Sequence, residues 1–350
     1  MVREDMRSFF DLGRAELEQL LSGLDTKPFR RKQLLKWVYL RGVGQFESMT
    51  DMPLPLREEL SRRLDLHPMR EVARNATDDG TVKFLHILED GALIESVLIP
   101  EEGHHTLCLS TQSGCAMDCV FCDTARAGAG RNLTAGEILA QIVYAVRYLG
   151  DRARLRNLVF MGMGEPLQNL DALVPALGII LDEDALGFSP RRVTVSTCGW
   201  VPGMERLGST GTDVNLAVSL NATDDRTRSL LMPVNRKYPL ARLMDAVRDY
   251  PLRARSRITF EYVLIEDIND SDEDVRRLVK LLEGIPSKVN LIPCNVNSSG
   301  LRGPGQERVR AFQEALLEKG VLATLRKSRG QDIQAACGQL RASCGQGGWT

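Results

Sequence analysis

Three cysteines in Cys115-Ala-Met-Asp-Cys119-Val-Phe-Cys122 are the residues best suited to chemistry, spaced by three and then two intervening positions. Three is the informative number. A structural zinc site closes with four protein ligands, whereas three thiolates on a four-iron cluster leave one iron open for a substrate. Structural zinc and chance clustering are the competing accounts. Phe121, just before the third cysteine, would shield such a cluster. Further on, Gly162-Met-Gly-Glu165-Pro166 combines glycines that let a backbone approach a ligand with a carboxylate suited to an ammonium group. Alone, this could be an ordinary turn after a strand.

Other candidates are weaker on local evidence. Cys108 shares a strand face with Thr106 and Ser110 while Leu107 and Leu109 point the other way, so it is expected to face a polar interior. Cys337 sits beside a glycine in Ala335-Ala-Cys-Gly-Gln-Leu340, a stretch with the low periodicity of a loop. On these local grounds each reads more readily as a small buried hydrophobe, which is the reading kept for Cys198, Cys294 and Cys344. Glu95 falls on the strand face of Leu93, Val97 and Ile99, an odd place for a carboxylate without a task. Desolvation there would raise its pKa toward a range useful for proton transfer; a paired surface glutamate on an edge strand is the alternative.

The elements that must position these residues follow from periodicity. Residues 1–66 read as a small helical accessory domain: Ala15, Leu17, Leu20, Leu21 and Leu24 recur at helical spacing, as do Leu34, Leu35, Val38 and Tyr39 after Pro28. Residues 67–100 read as a β-hairpin extension, with strands over 81–88 and 92–99 joined through Asp90-Gly91. From residue 101 to 332, β-rich runs near 106–110, 158–161, 192–197, 214–219, 257–264, 288–292 and 321–326 alternate with helical ones. Thr134-Ala-Gly-Glu137 is a capping box before the apolar stripe of Ile138, Leu139, Ile142, Val143 and Val146. The pattern predicts an α/β fold, a partial (β/α)6 barrel open on one side, with its site at the C-terminal strand ends. Residues 333–350 form a C-terminal segment carrying Cys337.

Composition agrees with a globular enzyme of about two domains: 350 residues, 43% apolar and 26% charged. The N-terminus is charged without an apolar run behind it, and the longest uncharged greasy stretch, residues 173–181, is too short to span a bilayer. A cytoplasmic chain without membrane contact is expected, so that its eight cysteines are reduced and available for metal or catalysis. The net charge is −1, but eleven Lys/Arg against six Asp/Glu lie between Lys27 and Arg74, and nine against two between Arg226 and Arg257. Acids gather over 261–274. Such segregation suits a phosphate-bearing partner, or else merely solvated helix faces.

The cysteine triplet followed at this distance by the Gly-Glu stretch resembles the radical S-adenosylmethionine superfamily. The resemblance narrows to the RlmN family, which methylates carbon 2 of adenine in 23S rRNA and tRNA. It rests on residues 114–122, Arg131-Asn-Leu, 161–167, Arg191-Arg-Val-Thr, Met232-Pro-Val-Asn-Arg-Lys-Tyr, Glu261-Tyr-Val, Val289-Asn-Leu-Ile-Pro and 326–340. It implies a radical-SAM core over 101–332, one [4Fe-4S] cluster on Cys115, Cys119 and Cys122, and two molecules of S-adenosylmethionine per turnover. By position, cofactor contacts fall on Gly164, Glu165, Ser196, Ser219, Leu220, Asn221 and Asn295; Asn221 departs from the His usual in the family. Cys337 matches the methyl-accepting cysteine, Cys108 its disulfide-forming partner, and Glu95 the general base.

The implied route is radical because adenine C2 has no lone pair with which to attack an electrophilic methyl donor. Cys337 is first methylated; a 5′-deoxyadenosyl radical then takes a hydrogen atom from that methyl group, and the methylene radical adds to C2. Proton removal, and attack of Cys108 on the Cys337 sulfur, release the product and leave a disulfide. The expected partners are 23S rRNA, tRNA and a reducing donor such as flavodoxin or ferredoxin, and the chain is expected to be a monomer. RNA contacts are expected from the basic N-terminal domain and from residues 226–257. The alternatives are a related carbon-8 adenine methyltransferase and a non-catalytic RNA-binding iron–sulfur protein.

Overall fold

The computed structural model describes residues 6–295, 299–326, 330 and 333–341. At the N-terminus, β1 (Arg7–Ser8) pairs in parallel with β2 (Leu64–Asp65) and so ties together the two ends of a helical unit. Its helices are α1 (Arg14–Gly23), α2 (Phe29–Leu35) and α3 (Leu54–Arg63). Leu17, Leu21, Leu34, Leu35 and Leu60 turn inward onto Phe9 and Phe10. The chain after α2 continues as a π-helical turn over Lys36–Leu40, which the spacing of Val38 and Tyr39 does not announce; both are fully buried.

Everything else hangs on one ten-stranded sheet whose spatial order follows the sequence. Strands β3 (Met69–Ala76), β4 (Val82–Leu88), β5 (Leu93–Glu101) and β6 (His104–Cys108) are antiparallel. From β6 onward, β7 (Leu155–Phe160), β8 (Val193–Thr197), β9 (Asn215–Ser219), β10 (Ile258–Leu264), β11 (Ser287–Pro293) and β12 (Ala323–Leu325) are parallel. The expected hairpin is therefore three strands, continuous with the barrel sheet. β3 escaped notice because Arg70, Val72, Arg74 and Ala76 on its outer face are exposed and only Asn75 is buried. Since β3 and β12 are the two edges, the barrel stays open.

After the short α4 (Asp123–Arg126), helices α5 (Ala135–Leu149), α6 (Leu170–Leu181), α7 (Val201–Ser209), α8 (Asp225–Leu231), α9 (Leu240–Asp249), α10 (Asp272–Leu282) and α11 (Gln306–Glu318) fill the crossovers. The capping box at the start of α5 forms: Glu137 N donates to Thr134 Oγ1 at 3.1 Å, and Thr134 N to Glu137 Oε2 at 2.8 Å. Strand alternation sorts the layers. On β10, Phe260 and Tyr262 join the core under the helices, while Glu261 and Val263 face the interior cavity. No helix among the described residues is long and apolar enough to cross a membrane.

Candidate active site

A cavity of about 160 Å³ opens at the C-terminal strand ends. The cysteine loop forms one side of it, and Cys115, Cys119 and Cys122 all reach its wall. The loop is pinned by Cys115 N to Gly128 O at 3.0 Å, Val120 N to Leu231 O at 3.0 Å and Cys122 N to Cys119 O at 3.0 Å. Burial pushes the Cys115 thiol up to about 12 and raises Cys119 and Cys122 too, with the neighbouring thiols adding to the effect at Cys115 and Cys119. Such thiols become thiolates only beside a strong cationic charge. Among the described residues no three His, Cys, Asp or Glu converge as ligands of a single ion. Three thiols on one wall, with no fourth protein ligand among the described residues, suit a multi-iron cluster that keeps one iron open better than a closed tetrahedral zinc site.

The Gly-Glu loop leaves β7 opposite the cysteines. Gly164 has φ +99°, and a Cβ there would lie 2.5 Å from Gln112 Cβ, so only glycine fits. Gln112 Oε1 accepts from Glu165 N at 2.8 Å and fixes the loop. The Glu165 carboxylate, pushed up by burial, is held by Cys198 N at 2.8 Å and Leu167 N at 3.1 Å. It retains acceptor capacity toward the cavity for an ammonium group.

Ser196, Ser219, Asn221 and Asn295 also reach the cavity wall. Leu220 does not: its side chain is in the helix-covered core, and only its neighbours face the cavity. Asn221 takes a left-handed φ of 57°, which asparagine tolerates. Its Oδ1 accepts from Val263 N at 2.8 Å and its Nδ2 donates to Met232 Sδ at 3.2 Å, so this amide is bound to the protein itself.

Cys337 lines the same cavity, more than two hundred positions after the cysteine loop. Four grips seat its segment: Asn295 Nδ2 donates to Cys337 O at 3.1 Å, Asp123 N to Gly338 O at 2.7 Å, Thr124 Oγ1 to Leu340 O at 2.6 Å, and Arg341 N to Glu95 Oε2 at 2.9 Å. Gly338, at φ +82°, lets the segment lie against the cysteine loop; a Cβ would stand 2.7 Å from Phe121 O.

Cys108 lies outside the cavity wall, buried among Val97, Met163, Ala335 and Leu340. Its surroundings are thus more apolar than strand alternation suggests. Burial pushes its thiol up to about 12; the nearby Cys337 adds to this and Arg326 opposes it. Both cysteines are free thiols. Glu95 is fully buried beneath the C-terminal segment, away from the cavity wall, with Lys83 Nζ 3.4 Å from its Oε1. Burial raises its pKa and Lys83 opposes the rise. Cys198 and Cys294 are buried beside the cysteine loop, and Cys344 lies outside the described residues.

Sequence reasoning missed several residues that build this site. Arg326 carries a raised pKa because of Cys337, with Glu261 and Cys108 contributing. Glu261, also on the wall, accepts from Asn290 Nδ2 at 2.8 Å. Arg228 sits in the basic stretch expected to meet RNA, yet it is fully buried and donates to the carbonyls of Cys198, Ser219 and Leu220. Arg242 and Arg253 of that stretch pair with Glu205 and Asp213. The one sequence signal for its inward turn is the apolar neighbourhood of Leu230 to Met232.

Residues 109–279 match the model of the Radical SAM superfamily, and residues 7–66 that of the ribosomal RNA large subunit methyltransferase N-terminal domain. The chain is 53% identical over 328 residues to the dual-specificity RNA methyltransferase RlmN of Syntrophotalea carbinolica, covering 93% of this chain and 87% of that one. With RlmN of Anaeromyxobacter dehalogenans it shares 48% over 354 residues, 99% and 95% of the two chains. The crystal structure of a radical SAM methyltransferase from Sphaerobacter thermophilus superposes with a TM-score of 0.91 at 44% identity, covering 96% of this chain and all of that one.

Proposed function

Because this chain belongs to the RlmN family of dual-specificity RNA methyltransferases, we propose that it methylates carbon 2 of adenine in 23S rRNA and tRNA, with Cys337 as the methyl carrier. It is a radical S-adenosylmethionine enzyme, and the cofactors of that chemistry are a [4Fe-4S] cluster and S-adenosylmethionine. When bound, they supply a 5′-deoxyadenosyl radical. Cys115, Cys119 and Cys122 would hold the cluster, and Glu165 with Ser196, Ser219 and Asn295 the methionine and nucleoside parts. The observation that carries the reading is that Cys337 and the three loop cysteines share one cavity wall although far apart in sequence.

In this reading Cys337 sulfur accepts a methyl group by displacement, and that methyl carbon, after losing a hydrogen atom, bonds to adenine C2. The adduct gives up one electron, returned toward the cluster that the donor reduced, together with the C2 proton; Cys108 then attacks the Cys337 sulfur, forming an S–S bond as the S–C bond breaks, and the released carbon takes up a proton to complete the product's methyl group. Arg326, the neighbour of Cys108, favours the thiolate that must attack. Glu95 takes the proton from C2; since Arg341 caps its carboxylate, the C-terminal segment must lift for that to happen. The N-terminal unit up to residue 66 and the exposed Arg236 and Lys237 supply RNA contacts, a flavodoxin- or ferredoxin-type donor supplies electrons, and the enzyme works as a cytoplasmic monomer. The test is nucleoside analysis of rRNA and tRNA from cells lacking the protein. Loss of 2-methyladenosine from both is expected; loss of 8-methyladenosine, or an unchanged profile, refutes the assignment.

A further inference from the structure

Lys83 of β4 is a buried cation that no step of the reaction employs. Strand register puts it on the inward face of the sheet: Lys83 lies opposite Val97 of β5, Val97 lies opposite Cys108 of β6, and Glu95 shares the face two positions before Val97. Lys83 Nζ stands 3.4 Å from Glu95 Oε1 and donates to Gln334 O, also at 3.4 Å. The other Glu95 oxygen, Oε2, accepts from Arg341 N at 2.9 Å. Lys83 and Glu95 thus grip the C-terminal segment on both sides of Cys337, at Gln334 before it and at Arg341 after it. Gln334 has a left-handed φ of 52°, a backbone that glutamine seldom adopts, so a hold at its carbonyl matters there.

Resting on the readings of Cys337 as methyl carrier and Glu95 as base, we propose that Lys83 is a positioning residue with two duties: it holds the buried Glu95 carboxylate as a ready base, and it anchors the Gln334 end of the segment while the Arg341 end lifts. A buried carboxylate without a compensating charge reverts to the acid, which cannot take a proton. Glu95 Oε1 accepts no hydrogen bond among the described residues, so the Lys83 ammonium is what balances it. Burial raises the Glu95 pKa, and Lys83 opposes the rise more than the Arg341 N–H does. The other ionisable groups on this face are Cys108, with Arg326 and Cys337 near it, and, farther along, Glu101 of β5 and His104 of β6. Asn75 of β3 lies opposite Lys83, whereas Glu71 and His86 are on the reverse face, where His86 packs on Tyr144. When Glu95 takes the proton, the C2–H electron pair stays with the adduct and the carboxylate becomes an acid. The acid is a weaker acceptor for Arg341 N and no longer balances Lys83, so the segment stays open for Cys108 to reach the Cys337 sulfur. The proton then passes to solvent and the ion pair re-forms.

The experiment uses full-length, anaerobically reconstituted Cys108→Ala protein, in which the adduct should persist, and an RNA hairpin with deuterium at C2 of the target adenine; acid-quenched samples are read by mass for loss of the deuteron. Adding Lys83→Met should slow that loss about tenfold near pH 7.5 and move the rise of its pH profile upward by about one unit, since one pKa unit changes the basic form tenfold. Lys83→Arg should restore both, and Cys337 should still be methylated by S-adenosylmethionine in every variant. A profile lowered in height but unmoved in pH marks Lys83 as a support of the fold alone and overturns the proposal, as does an unchanged rate. Where Lys83→Met retains no cluster, Lys83→Gln, which keeps a donor for Gln334 O without the charge, takes its place with the same shift expected. Hydrogen exchange reads the second duty: amides of 333–341 should exchange about tenfold faster in Lys83→Met, and unchanged protection refutes the anchor. Absence of any adduct in Cys108→Ala would remove the carrier reading, and deuteron loss at full rate with Glu95→Gln the base reading; in either case the exchange of 333–341 decides whether Lys83 holds the segment.

Discussion

Replacing Arg228 by Met tests whether this buried guanidinium holds the cofactor loops together. Arg228 is fully buried; its Nε donates to Leu220 O at 3.0 Å, its Nη2 to Cys198 O at 2.8 Å and Ser219 O at 3.2 Å, and its Nη1 to Asn235 Oδ1 at 2.9 Å. Leu220 O keeps a second donor, Ala222 N at 2.8 Å, but Cys198 O and Asn235 Oδ1 have no other among the described residues. Leaving two buried acceptors unpaired costs about 1–3 kcal/mol each, or roughly 2–6 kcal/mol together. Met fills similar space and removes a cation whose burial is itself unfavourable, as its lowered pKa indicates, so the net loss should fall near ~3 kcal/mol.

Urea unfolding of the anaerobic protein measures that loss directly. With a slope of about 3 kcal/mol/M for a chain of this size, the midpoint should fall by roughly 1 M. The same arginine joins the ends of β8 and β9, which present Ser196 and Ser219, so S-adenosylmethionine affinity should drop about tenfold, a loss of ~1.4 kcal/mol. Arg228→Lys, which cannot fork to several carbonyls, should lie between the two. A loss under ~1 kcal/mol with cofactor affinity intact would refute the reasoning. If RNA affinity fell instead, the simpler reading of residues 226–257 as an RNA-contacting stretch would be restored at this position.

Other perturbations probe separate parts of the site. Gly164→Ala should fold yet bind S-adenosylmethionine at least about tenfold more weakly by equilibrium dialysis, because its Cβ displaces Gln112 from Glu165 N at a positive φ. Cys115→Ala, Cys119→Ala and Cys122→Ala should each abolish iron retention after reconstitution; stoichiometric zinc and no iron in the parent protein would contradict the cluster reading. In the cluster-free chain, Cys108 ionises near 9 when unfolded but near 12 when folded, so above pH 9 the unfolded state holds fewer protons and stability must fall until about pH 12. Its share is about 1.4 kcal/mol per pH unit, so Cys108→Ala should flatten the decline by that amount in denaturation curves between pH 9 and 11. Cys108→Ala should also accumulate a nuclease-sensitive protein–RNA adduct on denaturing gels, absent when Cys337 is replaced as well; normal turnover by Cys108→Ala would show the sulfur exchange to be misassigned.

The parts of this molecule legible in sequence are those in which neighbours along the chain are also neighbours in space. The parallel strands were visible because alternation and apolar runs report local burial, and the α5 start because a capping box closes over four residues. The cysteine loop was visible for the same reason. β3 was hidden because one face is solvated and its charges read as a loop, and the turn at 36–40 because a π-turn shifts the helical phase without leaving a composition signal. The contacts that define the chemistry belong to neither kind. Cys108, Arg326 and Cys337 interact although two of them lie over two hundred positions from the first, and no periodicity encodes that. What brings them together is strand order: because each strand pairs with its predecessor and the sheet curls without closing, its late edge at β12 faces the early strands β5 and β6 across the open side. The C-terminal segment fills part of that opening, with Arg341 on Glu95 and Leu340 on Thr124. Closing the sheet would pair β12 away from this position and leave Cys337 no interior place to occupy, so an incomplete barrel is a condition of the chemistry proposed for it.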